Sequence, residues 1–457
     1  MKKIFIGLII VLTSLSCVRN DDILPDSITP SEEQSTFVTP EMALEEVENF
    51  LKEISVESRA YTGKKIANIY STQDISNTRT DDNQEPEPFV YVVNFENDEG
   101  YAIVAGDTRV PPILAVVDSG SLEQGEVVDN PGMIMMLSNI ETDYRMTLGL
   151  PVEDMDGNMV SPIGVAEDGS YVYPAMTNVE ITPAPGLGTT YTYGPWDEFI
   201  YWGTVIDCTW GQSSLPFNLL TFTNDGQRAP AGCVAVAVAQ IMYFWGYNCT
   251  YNGWYFDWEI MRQYQHGDGP DTPAYDMIAE LMYVLGLPEN LDMDYDVSGS
   301  GAYDSAVPRT FENFGYASGG SNQSYNFSEL RDAVQYRPIY VSGCSKKIVT
   351  KTIILGITVN TTTTYDDGHA WVIDQVMTRG RNKYTYIEGY RQPGAERDYQ
   401  TLVHCNFGWK GADNGYYYSA QFDTNEGPVT RKTTTTETGI DYYYQYQLNM
   451  NTDIYPY

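Results

Sequence analysis

The 457-residue sequence predicts an α+β protein of two or three domains. Apolar residues make up 42% of the chain and aromatic residues 13%, which is enough for large hydrophobic cores. The N-terminal part mixes helical apolar spacing with short β-prone runs. In the C-terminal part, predicted helices come first and predicted strands follow, which is typical of an α+β domain and not of a doubly wound sheet.

The first residues have the features of an export signal. Two lysines precede an apolar run from Ile4 to Leu15 that is too short to span a membrane, and Cys17 follows. This pattern resembles a bacterial lipoprotein signal, which implies a signal peptide at 1–16 and lipid attachment at Cys17. A plain secretory signal is the alternative. We expect an outer-membrane or cell-surface lipoprotein, which processing could release from the cell. The chain would contact the membrane only through this lipid anchor.

Charge and cysteine content exclude several classes of partner. Twenty-six basic and 62 acidic side chains give a formal net charge of −36. Such a field repels nucleic acid, so we expect no nucleic-acid partner. The six cysteines form no CxxC pair of the kind that binds zinc, and we expect no metal or cofactor. With Cys17 set aside, an odd number of cysteines remains, which predicts at least one free thiol.

Elements of the N-terminal half follow a polar tether at 17–36, which is rich in Asp, Ser, Pro and Glu. In chain order, the patterns predict a helix at 39–54, two strands within 89–107, a strand at 110–120, a helix near 131–148 and a hairpin near 168–175. Residues 180–205 have the composition of a loop, with many Pro, Gly and Thr residues. This segment suggests a boundary between a domain at 37–190 and a second domain at 191–457.

The C-terminal half contains helical patterns first and β patterns afterwards. The helices are predicted at 233–245, 272–285, 305–313 and 327–335. The strands are predicted at 338–343, 352–363, 370–378, 383–391 and 400–406.

Cys233 is the candidate nucleophile. It follows Gly232 and opens a helix that is apolar almost all round, so its thiol would lie at the positive end of the helix dipole. The chain has three histidines, and His369 follows a glycine at the start of an apolar strand pattern. Imidazole next to a thiol can take its proton and activate it as a nucleophile.

Three further residues complete the candidate site. Asn406, near the end of a predicted strand, could orient the imidazole, and Trp409 could cover that contact. Gln212 could supply an oxyanion donor in addition to the Cys233 backbone N–H. The separation of His369 from Cys233, 369 − 233 = 136 residues, lies within the range of roughly 130–150 residues described for papain-like enzymes.

Several segments carry a family resemblance. In chain order they are "WGQSSLPFN", "GCVAVAVAQIMYFW", "RPIYVSG", "GHAWVIDQ" and "NFGWKGADNGYY". Together they resemble the streptopain family of papain-like cysteine peptidases, and residues 37–180 resemble the inhibitory propeptide of that family. The resemblance implies a papain-like domain, in which helices that include the nucleophile helix pack on an antiparallel sheet. It also implies an α+β inhibitory prodomain in front, removed by cleavage, which we place between 176 and 206.

By the same resemblance, Cys233 is the nucleophile, His369 the base, Asn406 the orienting residue and Gln212 an oxyanion donor. The chain departs from the family in having Phe407 where tryptophan is usual. It also has an insert at 344–367, which we expect to form a hairpin beside the active site.

The function expected from the sequence is that of a secreted or surface-anchored cysteine endopeptidase, made as a zymogen. Its partners would be protein or peptide substrates and its own prodomain. The alternatives are a Cys-His-Asn amidase or transglutaminase-like acyl transferase, and a catalytically inactive surface binding protein.

Overall fold

The structure is a computed structural model. It describes residues 36–55, 61–73, 88–153, 159–166, 171–173, 181–182, 189–266, 272–345, 353–359, 368–387, 390–419 and 446–457. The predicted signal peptide and the lipid-attachment residue Cys17 lie outside the described residues. Thr36–Tyr457 forms one compact unit. Within the described residues, no helix combines the length and apolar character needed to cross a bilayer.

In its described residues, the N-terminal region, residues 36–182, contains two long helices and ten strands. The helices are α1 (Pro40–Ile54) and α2 (Pro131–Leu148). The strands are β1 (Ile66–Gln73), β2 (Pro88–Phe95), β3 (Tyr101–Ala105), β4 (Ile113–Val117), β5 (Val127–Val128), β6 (Val152–Glu153), β7 (Met159–Val160), β8 (Gly164–Ala166), β9 (Tyr171–Val172) and β10 (Ile181–Thr182). Both long helices start as the sequence predicts, with Thr39 and Asn130 as side-chain caps and proline in the first turn.

The C-terminal region, residues 189–457, contains five helices and fourteen strands within its described residues. The helices are α3 (Cys233–Trp245), α4 (Trp258–Met261), α5 (Pro273–Leu285), α6 (Val307–Asn313) and α7 (Phe327–Val334). The strands up to the insert are β11 (Thr189–Gly203), β12 (Cys249–Tyr251), β13 (Trp254–Phe256), β14 (Tyr316–Gly319), β15 (Gln323–Ser324) and β16 (Ile339–Ser345). Those that follow are β17 (Ile353–Ile354), β18 (Ile357–Val359), β19 (His369–Ile387), β20 (Tyr390–Arg391), β21 (Glu396–Asn406), β22 (Gly415–Tyr418), β23 (Tyr446–Asn451) and β24 (Ile454–Pro456).

One antiparallel sheet runs through both regions. Its strand order is β1-β2-β3-β4-β22-β21-β19-β16-β23-β15, with β11 and β20 also paired to β19. The junction is the pair β4–β22, in which Val117 faces Gly415 and Ala115 faces Tyr417. The α+β class and the packing of helices on an antiparallel sheet are confirmed. The N-terminal strands continue the C-terminal sheet, and no sequence pattern predicted this continuity.

Two sequence predictions are wrong. Residues 189–203, assigned to a loop, form the 15-residue strand β11, which pairs with the far half of β19. Tyr, Trp, Phe and Thr are abundant there, and a long neighbouring strand gives such residues a partner. The separate strands expected at 370–378 and 383–391 are one continuous strand, β19, because β11 and β21 pair with it along most of its length.

Helices cover both faces of the continuous sheet. On one face, α2 is buried nearly all round, in a core that includes sheet residues from both regions. On the other face, α1 packs on the N-terminal strands in a core that also contains Met377 and Leu402 of the C-terminal strands. Helix α3 lies in a separate core of the C-terminal region, beside β16 and β19. The start of α3 is thereby held against the strand that begins with His369.

Candidate active site

Cys233 is the first residue of α3, and its thiol is only partly buried, whereas the next ten residues of the helix are buried. No side chain caps the helix start, so the first amides of α3 have no side-chain acceptor. Gly232 precedes it at a φ of 92°, and a Cβ there would come within 2.9 Å of the Met293 sulfur and the Ser300 carbonyl oxygen. Glycine is therefore required at this approach to the helix.

Two opposing influences act on the Cys233 thiol. Burial raises its pKa, whereas the backbone amides of Ala370 and Val234 lower it. Asp304 contributes a smaller rise in that pKa, because its negative charge disfavours the thiolate. Cys233 packs against the core that contains Ala370, the residue after His369 in β19.

His369 is buried, with 4% of its surface exposed, and aromatic rings surround it. Trp371 stacks on the imidazole at 6.2 Å between ring centroids, and Trp409 meets it edge-on at 6.4 Å. Burial lowers the pKa of His369 to about 4, against a smaller upward effect of the Phe407 carbonyl. The imidazole is therefore neutral at pH 7 in this state of the protein.

The protonated nitrogen of that imidazole follows from its one hydrogen bond. Nε2 lies 3.2 Å from the carbonyl oxygen of Phe407, which can only accept, so Nε2 carries the hydrogen. Nδ1 is then the nitrogen able to accept a proton from a thiol. Within the described part of the chain, no hydrogen bond joins the ring to the Cys233 sulfur or to the Asn406 side chain.

Asn406 lies on the strand next to that of His369, and its side chain bonds to a residue of α3. It ends β21 and pairs with Val372 of β19. Its Nδ2 donates to the Cys208 carbonyl at 2.8 Å, and its Oδ1 accepts from Gln240 Nε2 at 2.8 Å. The structure thus brings Asn406 next to the histidine strand and holds its amide in one orientation.

Sequence reasoning missed the role of Gln240. This residue is fully buried in the middle of α3, and it is the one plainly polar residue between Val234 and Trp245. It follows Cys233 by seven residues, which is about two helical turns, so both residues lie on the same face of the helix. A lone amide in an otherwise apolar helix was the signal that a buried polar partner was needed.

Gln212 lies beside the segment that leads into α3. Its carbonyl oxygen accepts from the Ala231 amide at 2.8 Å, and its side chain is partly exposed. The preceding Gly211 packs so closely on Lys410 that a Cβ there would lie 2.6 Å from the Lys410 Cγ. Gln212 is therefore held between the nucleophile segment and the loop that carries Trp409.

Helix α2 of the N-terminal region covers the histidine. A Cβ added to Gly132, in the first turn of α2, would lie 2.3 Å from Phe407 Cδ1 and 2.8 Å from His369 Cδ2. The cap residue Asn130 donates to Asp413 Oδ2 at 3.1 Å, which holds this turn on the C-terminal region. The N-terminal region therefore contributes directly to the burial that lowers the pKa of His369.

The other buried histidine, His404, has a different environment. Its Nδ1 lies 2.6 Å from Asp374, and its Nε2 lies 3.1 Å from Asp118 of the N-terminal region. Burial lowers the pKa of His404, but the charges of Asp374 and Asp118 outweigh it and raise the value to about 10. His404 thus forms a charged link between the two regions of the chain.

Among the described residues, no group of three or more His, Cys, Asp or Glu side chains could hold a metal ion.

Comparison with known families assigns both regions. Residues 210–417 match the model of the peptidase C10 family, and residues 35–144 match the model of the Spi protease inhibitor family. Residues 210–417 therefore carry a domain of the peptidase C10 family. The N-terminal region therefore contains an inhibitory prodomain, and the C-terminal region contains the catalytic domain. This C10 peptidase is a cysteine peptidase that is made as a zymogen.

The individual relatives have low sequence identity to this chain. Streptopain of Streptococcus pyogenes is 26% identical over 371 residues, which cover 72% of this chain and 73% of streptopain. The thiol protease/hemagglutinin PrtT of Porphyromonas gingivalis is 22% identical over 370 residues, which cover 73% of this chain and 34% of that protein.

Two solved structures of related C10 proteins are also similar. A fragment of Prevotella intermedia prointerpain A gives a TM-score of 0.45 at 18% identity, covering 85% of this chain and 98% of the fragment. Active interpain A of the same organism gives a TM-score of 0.34 at 22% identity, covering 56% of this chain and 95% of interpain A.

Proposed function

We propose that this C10 peptidase is a secreted or surface-anchored endopeptidase with a Cys-His-Asn mechanism. Cys233 is the nucleophile and His369 the general base and acid. Asn406 orients the imidazole, and Gln212 and the Cys233 backbone N–H bind the oxyanion. Trp409 covers the histidine and excludes water.

The observation that carries this proposal is the packing of the helix that begins with Cys233 against the strand that begins with His369, in a core that contains Ala370. The uncapped start of α3 is thereby held beside the strand that begins with His369, although 136 residues separate Cys233 from His369 in sequence (369 − 233). Helix-end dipoles and a neighbouring imidazole are the groups that stabilise a thiolate. Asn406 lies on the strand that pairs with the strand of His369, so its side chain is available to orient the imidazole.

The chemical steps follow from the tautomer of His369. Nδ1 takes the proton of Cys233, and the thiolate attacks the peptide carbonyl carbon to form a tetrahedral oxyanion. The C–N bond then breaks, and the imidazolium Nδ1 gives its proton to the departing amine. Nδ1 next accepts a proton from water, whose oxygen attacks the thioester carbon. The C–S bond then breaks, the acid product leaves, and the imidazolium returns its proton to the Cys233 sulfur.

In the zymogen, the two reacting groups are held in their neutral forms. Burial raises the pKa of Cys233 and lowers the pKa of His369 to about 4, so proton transfer between them is unfavourable. Because Gly132 contacts the imidazole, departure of the prodomain would return that ring to water and raise its pKa. Removal of the prodomain would therefore favour the thiolate–imidazolium pair as well as open the site.

The decisive experiment compares two cysteine variants of the full chain. Cys233→Ala is expected to fold but to lose both self-processing and cleavage of an unfolded protein substrate. Cys249→Ala is the matched control, since Cys249 is also a free, partly buried thiol of the catalytic domain and should be dispensable. Sequencing the new N-terminus of the processed form tests the predicted interval 176–206. Activity of Cys233→Ala near that of the unchanged chain would refute the assignment.

We further propose that the exported chain is anchored through a lipid on Cys17. The apolar run that ends before this cysteine supports the assignment, and one lipidated residue would account for membrane attachment. Cells that express the full chain are labelled with a radioactive fatty acid. Label should appear on the unchanged chain and be absent from Cys17→Ser, and equal labelling of both chains would contradict the anchor.

A further inference from the structure

The insert of the catalytic domain contains a short hairpin that contacts the prodomain. Strands β17 and β18 form this hairpin, within the insert at 344–367. Strand β18 pairs in parallel with β5, with Thr358 opposite Val127 and Val359 opposite Val128. The hydroxyl of Thr72 also donates to the Leu355 carbonyl at 2.7 Å. The hairpin predicted from the insert is therefore confirmed, and its described strands are docked on the prodomain.

The hairpin is apolar and is buried by this docking. Its residues 353–359 read "IILGITV" and include no charged side chain. Four of them are less than 5% exposed and belong to the core that contains α2: Ile354, Leu355, Ile357 and Val359. Departure of the prodomain would remove the partner of β18 and uncover these side chains. An unpaired strand edge with an apolar face is a template for an incoming extended chain.

The same prodomain segment connects the hairpin to the active site. Val128 pairs with β18, and Gly132, four residues later, lies against His369 and Phe407. Four extended residues span about 13 Å. A polypeptide bound at the reacting groups can therefore reach β18 with its own flanking residues. In the catalytic domain itself, the insert at 344–367 is followed directly in sequence by Gly368 and His369.

We propose that in the processed enzyme this hairpin extends the substrate cleft and binds an extended, aliphatic segment of the protein substrate by strand pairing with β18. The prodomain residues Val127 and Val128 occupy this surface in the zymogen. The inference rests on the proposed function and adds a specificity element to it. Aliphatic residues are favoured because the uncovered face consists of Ile, Leu and Val, which lose contact with water when such a partner binds.

The test uses enzyme obtained by processing the full chain, and peptides that share one cleaved sequence. One peptide is short and contains only the cleaved sequence. The longer peptides add a Val-Val or a Ser-Ser pair about four residues from the cleaved bond, in one set before that bond and in another set after it. We expect the unchanged enzyme to prefer Val-Val over Ser-Ser by about tenfold in kcat/KM on one of the two sides. N-methylation of that Val-Val pair should abolish the preference, because it removes the amides that pair with β18.

Two isoleucine variants identify the surface responsible. Ile357→Gln should abolish the Val-Val preference while the short peptide is cleaved within about twofold of the normal rate. Ile387→Gln is the control, since Ile387 is 47% exposed at the far end of β19, and it should keep the preference. Absence of a preference on both sides, or its persistence in Ile357→Gln, would overturn the inference while leaving the peptidase assignment intact. Failure of the unchanged enzyme to cleave any of the peptides would overturn both.

Discussion

Replacing Gly132 by alanine should loosen the prodomain at the place where it covers His369. Gly132 lies in the first turn of α2, and an added Cβ would approach Phe407 Cδ1 to 2.3 Å and His369 Cδ2 to 2.8 Å. Neither ring has room to retreat, because Phe407 is fully buried and His369 nearly so. The turn of α2 must therefore move away from the catalytic domain.

The size of the effect follows from two opposing contributions. Forcing an extra carbon into a well-packed contact costs about 1–3 kcal/mol. Alanine stabilises a helix relative to glycine by up to about 1 kcal/mol, which offsets part of that cost. The net weakening of the docked state is about 1–2 kcal/mol, which raises the population of the opened zymogen by about 5- to 30-fold.

Self-processing of the full chain reports this population. When opening and closing are fast relative to cleavage, the rate of conversion follows the opened fraction, so it should rise by about 5- to 30-fold in Gly132→Ala. Gly194→Ala is the control, because a Cβ at Gly194 meets nothing closer than 3.7 Å. Conversion of Gly132→Ala at or below the rate of the unchanged chain would refute the steric argument, as would an equal acceleration by Gly194→Ala.

Two further predictions concern the stability of the zymogen, measured by urea unfolding of the inactive cysteine variant. Gln240→Leu should lower the free energy of unfolding by about 0.5–1.5 kcal/mol, because Asn406 Oδ1 loses the 2.8 Å bond from Gln240 and keeps only the longer one, at 3.3 Å, from the Gly408 amide; an unchanged value would show that the bond to Gln240 is dispensable. His404 has its pKa raised to about 10, so its stabilising contribution is complete below pH 6.5 and is lost as the pH rises toward 10. His404→Gln should flatten this decline, which can reach about 1.4 kcal/mol per pH unit, and an identical slope in both chains would contradict the charged link.

Local patterns in the sequence predicted most of the elements and the order of the candidate residues. Apolar patterns located α1, α2 and α3 because this signal acts within a few turns of one chain segment. The patterns failed where pairing over a long range decided the outcome. Strand β11 resembled a loop in composition. It forms because the far half of β19 provides a pairing partner along the whole length of β11.

The sequence by itself determined the candidate groups of the site and their order: a thiol at an apolar helix start, an imidazole at a strand start, and two amides. Only the tertiary structure decided how deeply these groups are buried in the zymogen and how burial shifts their pKa values. The prodomain continues the catalytic sheet through β4 and β22, places Gly132 on His369 and covers the insert hairpin. These are contacts between segments hundreds of residues apart, and they depend on which strand edges and apolar faces remain unpaired once each region has folded. Burial, and with it the pKa of the histidine, is a property of that assembly and not of any local segment.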